Sequence, residues 1–122
     1  MDKSVLEKQI QDATGAHSAW KSKLAAAVAT GELPKPARDI ACDDQCSFGK
    51  WLHGLKSGPA ASHPSYKAVV EAHAAFHKMA GEVALRVEQG DKPGAEALLN
   101  GMEYTATTST LVREMAGWRN SI

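Results

Sequence analysis

Surplus charge, long apolar runs and cysteines are all scarce in this chain, and each scarcity removes a class of function. Fourteen basic and fourteen acidic residues cancel over 122 positions, so no long-range field gathers nucleic acid or an anionic membrane surface. The first dozen residues, Met1 to Asp12, mix Asp, Lys, Glu and Gln and contain neither the apolar core of a signal peptide nor a membrane span. The expectation is a cytoplasmic protein with no nucleic-acid partner and no membrane insertion. Two cysteines, Cys42 and Cys46, are too few for the disulfide framework of small secreted domains, which leaves metal ligation, redox reactivity or burial as roles for a thiol. There is no internal repeat, no low-complexity segment and no convincing strand pattern. The length fits a single domain, residues 1–122, large enough to bury a real core.

What is present is helical periodicity. Leu6, Ile10, Ala13, Trp20, Leu24 and Ala27 follow the four-and-three step of one helix face, with His17 filling the missing position. Thr30 and Gly31 close that helix, and Leu33-Pro34-Lys35-Pro36 cannot continue it. A loop should run to about Asp44, followed by a short helix from near Cys46 to Gly54, capped by Asp43 or Asp44. After His63-Pro64 the stripe resumes through Tyr66, Val70, His73, His77, Ala80, Ala84 and Val87. Gly90 ends this helix and Pro93 opens a last one, through Leu98, Met102, Leu111, Met115 and Trp118. Short connections between long helices predict an all-α, antiparallel four-helix bundle with one short helix after the first. On the last helix, Tyr104, Thr108, Leu111, Met115 and Trp118 form an apolar line displaced from Leu98, Met102 and Ala116, which predicts a second, partner-facing side.

Histidine is the residue that this pattern uses unusually. His73 and His77 stand one helical turn apart on an inward stripe, and an unpartnered imidazole there would be costly. Taken alone, such a pair is more often a surface pair or a satisfied core pair than a metal site. His17 occupies an inward step near the middle of the first helix. Cys46 would open the short helix, where backbone N–H groups and the helix dipole favour the thiolate that zinc requires. Together these four can surround one ion in the bundle core. His53 and His63 read as solvated residues. Cys42 could be a spare thiol, an alternative ligand or a resolving partner after oxidation, and is taken as a non-ligand.

His17 with Trp20, the run Cys46-Ser47-Phe48-Gly49-Lys50-Trp51-Leu52, and His73 with Phe76 and His77 closely resemble the chemoreceptor zinc-binding (CZB) domain family. The resemblance spans nearly the whole chain, and its most specific part is the Cys46 to Leu52 run. It implies Zn2+ held by His17, Cys46, His73 and His77 in a four-helix bundle that pairs as a homodimer. It further implies a sensor of zinc or of oxidants such as hypochlorous acid, coupled to a chemoreceptor signalling module or a cyclic-di-GMP cyclase in cis or in trans.

Four protein ligands close a zinc tetrahedron, whereas catalytic zinc normally keeps a position for water, so the expected role is sensing and not catalysis. Cys46 is the expected redox switch, because sulfur is the one ligand that an electrophile can oxidise. Gly49 should allow close approach, Trp20 and Trp51 should pack around the site, and Asp43, with Asp39 and Asp44, could accept the ligand histidines' second N–H. Competing readings are a sensor of free zinc level, a zinc-stabilised structural dimerisation module, and an oxygen-binding di-iron or haem bundle. The thiol and the lack of bridging carboxylates count against di-iron.

Overall fold

The computed structural model describes residues 3–121; Met1, Asp2 and Ile122, part of the N-terminal stretch and of the single-domain span read above, lie outside the described residues. Every regular element among the described residues is helical. They are α1 (Lys3–Ser18), α2 (Trp20–Thr30), α3 (Ala37–Ala41), α4 (Ser47–Gly54), a 3₁₀ turn (Pro59–Ser62), α5 (Pro64–Glu88), α6 (Lys92–Leu99) and α7 (Met102–Asn120).

The first stripe is buried as its spacing predicts, from Leu6 and Ile10 through His17 to Leu24 and Ala27. Its helix is interrupted at one residue, Ala19, which keeps helical dihedrals. The Ala19 N–H still donates to the Gly15 carbonyl at 3.1 Å, and the Ala19 carbonyl still accepts from Lys23 at 3.3 Å. α1 and α2 therefore present one continuous apolar face. Gly31 ends α2 with φ of 77°, a left-handed conformation that glycine adopts without strain.

Helix α5 is the centre of the fold and packs against α2, α3, α6 and α7, while α1 packs on α7 and α2 on α6. Its 25 residues bury Tyr66, Val69, Phe76, Val83 and both histidines of the predicted stripe. The α3 helix departs from the expected loop. Its start is held by Glu88 at the far end of α5, whose Oε2 accepts the Ala37 N–H at 2.9 Å. Capping by a residue so distant in sequence leaves no local signal.

The last predicted helix is two. Asp91 caps α6 by accepting the Gly94 N–H at 3.0 Å, and Asn100 with Gly101 separates α6 from α7. This break removes Leu98 from the second apolar line expected on the last helix. Tyr104, Leu111, Met115 and Trp118 are buried on one face of α7, whereas Leu98 belongs to α6, and Met102 (88% exposed) and Ala116 face solvent singly.

Helix α3 approaches α5 tightly at Gly81, where an added Cβ would lie 2.7 Å from Ala41 Cα and collide with Ala41 Cβ. Gly81→Ala should force these helices apart and lower the unfolding free energy by about 1–3 kcal/mol, despite alanine's better helix propensity. Urea denaturation of the metal-free proteins measures it.

Candidate metal centre

Two helices and one helix cap converge in the core. His17 ends the last turn of α1, His73 and His77 share a face in the middle of α5, and Cys46 is the N-cap of α4. Cys46 Sγ lies 3.4 Å from His73 Nε2, 3.5 Å from His77 Nε2 and 3.9 Å from His17 Nε2. His17 Nε2 and His73 Nε2 are 3.0 Å apart, and the four donor atoms lie within 4.8 Å of one another. A tetrahedral zinc with ordinary bond lengths needs about 3.4 Å between nitrogens and about 3.6 Å between sulfur and nitrogen. The sulfur–nitrogen spacings bracket the second value, and the His17–His73 pair, at 3.0 Å, lies just inside the first. One soft sulfur, three imidazoles and no carboxylate suit zinc rather than calcium or magnesium. Among the described residues no other group of His, Cys, Asp or Glu side chains is gathered this way.

The rings are aimed by backbone. His17 Nδ1 donates to the Ala13 carbonyl one turn earlier at 2.7 Å, and His77 Nδ1 donates to the Ile40 carbonyl of α3 at 2.8 Å. Each bond places the remaining lone pair on Nε2, the atom that faces the cluster. The aspartates expected in this role do not serve. Asp43 instead faces His53, at 3.4 Å between Oδ1 and Nε2, and its carboxylate acts on His77 only as a nearby charge.

Cys46 also displaces the expected cap. Asp43 and Asp44 do not cap α4; the Gly49 N–H donates to Cys46 Sγ at 3.3 Å, so the sulfur is fixed by the helix that it starts. At Gly49 a Cβ would collide with the Asp43 carbonyl and sit 3.2 Å from His73 Cε1. Phe48 and Phe76 wall the imidazoles edge-on, with centroids 5.3 Å from His73 and 5.3 Å from His17 respectively. Trp51 is one ring further out, stacked on Phe48 at 5.7 Å, and Trp20 is buried one turn beyond His17. The two phenylalanines beside the ligands were legible as neighbours in sequence, but their edge-on contacts were not.

Cys42 lies outside the cluster, exposed, with its S–H donating to the Arg38 carbonyl at 3.2 Å. His63 is not a free solvated residue: its Nδ1 accepts the Ser65 N–H at 3.0 Å to cap α5, and its Nε2 meets Ser121 Oγ at 3.3 Å.

Burial holds all three core imidazoles neutral at pH 7. It lowers His17 to about 4, with the Ala13 carbonyl opposing and the neighbouring His77 and Lys23 adding to the shift. It lowers His73 further, helped by His77 and His17, and lowers His77 against the opposing Ile40 carbonyl and Asp43. Because each folded value lies below the unfolded one, the unfolded chain takes up protons first as pH falls. The metal-free protein should therefore keep its stability above about pH 6.5 and lose it progressively toward pH 4. Urea midpoints across that window, in wild type and His73→Phe, measure the effect, and the variant should show a shallower slope.

No helix among the described residues is long and apolar enough to cross a membrane. Neither the curated proteins nor the solved structures contain a match to the chain. The chemoreceptor zinc-binding domain matches residues 17–84, a segment that starts at His17 and contains Cys46, His73 and His77. Since that segment is more than half of the 122 residues, the chain belongs to the chemoreceptor zinc-binding domain family.

Proposed function

We propose that His17, Cys46, His73 and His77 bind one Zn2+, and that the chain is a single sensory domain in which Cys46 is an oxidant-responsive switch. The observation that carries this reading is the convergence of one sulfur and three Nε2 atoms within 4.8 Å in an otherwise apolar core. Bound there, zinc would hold the sulfur as thiolate and tie α1, α4 and α5 together. All four positions of the tetrahedron are taken by protein, so no site is left for a reacting water, and the role is signalling.

The Cys46 thiolate attacks the chlorine of hypochlorous acid; an S–Cl bond forms as O–Cl breaks and hydroxide leaves. Water then replaces chloride on the sulfur, giving a sulfenic acid, chloride and a proton. The oxidised sulfur is a poor ligand, and three imidazoles alone form a weaker donor set. Structural zinc sites contribute about 10 to 16 kcal/mol in small peptides, which matches a whole domain's stability, so weakened ligation loosens the bundle. α3 would follow, because Ile40 on α3 holds His77. In a cytoplasmic homodimer that change would pass to a chemoreceptor signalling or cyclase module in cis or in trans.

Elemental analysis should find one zinc per chain, with a large loss in His17→Ala, Cys46→Ala, His73→Ala and His77→Ala. Equal loading in all four variants would remove the site. Hypochlorous acid should release zinc to a chromophoric chelator from wild type. His17→Ala and Cys46→Ala need reloading at higher zinc, and release that persists unchanged in Cys46→Ala would rule out the switch. If chelator competition instead gives a dissociation constant near free zinc levels and oxidant has no effect, the domain reads zinc itself.

A further inference from the structure

A cleft of about 400 Å³ opens beside the centre and contains Cys46 and His17 in its lining, with Trp20, Lys23 and Lys35. His17, His73 and His77 are 2%, 1% and 2% exposed, whereas Cys46 is half-buried, so the sulfur is the ligand that an outside reagent can reach. Lys23 Nζ lies 5.0 Å from the Trp20 ring centroid and Lys35 Nζ 5.9 Å from it. Both ammonium groups are within cation–π range of this one indole ring.

No carboxylate neutralises this pair. Among the described residues neither lysine takes part in an ion pair, and Asp12, the acid in the cleft lining, is bound to Lys8 at 2.9 Å. A donor set of one thiolate and three neutral imidazoles around a divalent ion carries net positive charge. With zinc bound, the centre and the two lysines would form a cationic pocket within a chain of no net charge.

We propose that Lys23, Lys35 and Trp20 form an anion-selecting mouth that draws small monoanions to Cys46, so that anionic reagents reach the sulfur faster than neutral ones of similar size. This rests on the sensor reading above and adds a charge preference to it: a small monoanion is favoured at Cys46 over a neutral molecule of similar size. Clefts lined by one sign of charge raise local ligand concentration and association rate by about tenfold or more, and salt removes the effect.

The test uses zinc-loaded protein carrying Cys42→Ser, so that Cys46 is the one thiol. Mass spectrometry follows its modification by iodoacetate, an anion, and by iodoacetamide, its neutral analogue. Lys23→Glu with Lys35→Glu should slow iodoacetate about fivefold or more while changing iodoacetamide by less than about twofold. Raising salt from about 0.01 M to about 1 M should slow iodoacetate in the parent and not in the double variant. Lys23→Gln with Lys35→Gln should fall between. Equal changes for both reagents, or no change for either, overturn the mouth. Lysine-dependent iodoacetate kinetics without Cys46-dependent zinc release would keep the mouth and reject the sensor; the converse would reject the mouth alone.

Discussion

Three neutral imidazoles packed into the middle of a small helical core are the constraint on which the rest of this structure depends. A polar ring without a partner in such a place would be expensive, and the chain answers in two ways. One nitrogen of His17 and one of His77 are given to backbone carbonyls, and the Nε2 atoms of all three rings are turned toward a sulfur. Burial keeps the rings uncharged at neutral pH, which is also the form that binds a metal. One physical cause, removal from water, thus sets both the packing problem and the chemistry that resolves it.

The remaining architecture follows from bringing these donors to one level. α5 supplies two of them one turn apart and makes contact with most of the other helices, so its register decides where the centre lies. Cys46 comes from a helix start, where its sulfur also satisfies a backbone donor of the first turn. Gly49 lets the Asp43 carbonyl and His73 approach α4, and Gly81 lets α3 lie close enough to place Ile40 over His77. Two glycines far apart in sequence therefore serve a common end.

The sequence made the donors legible because helical periodicity is a local signal: His17, His73 and His77 each occupy an inward step that their own neighbours define. The family resemblance rested on the Cys46 to Leu52 run, where Cys, Gly and Trp stand at offsets that a helix start explains. What escaped was non-local. α3 depends on Glu88, which caps Ala37 from the opposite end of α5, and nothing in Pro36 to Ala41 announces that partner. Asp39, Asp43 and Asp44 stand out as orienting acceptors because side chains are visible in a sequence, whereas the carbonyls of Ala13 and Ile40 are anonymous. The division between α6 and α7 lay within an apolar pattern that continued across Gly101, so periodicity alone read through it.

That anonymity has an evolutionary corollary. An outer-shell carboxylate can be lost in a single substitution, but every residue type at positions 13 and 40 carries the same C=O, so drift there cannot delete the group that steers either ring. Natural variation could retune the centre only by shifting a helix bodily, and this makes its geometry heritable through changes of side chain.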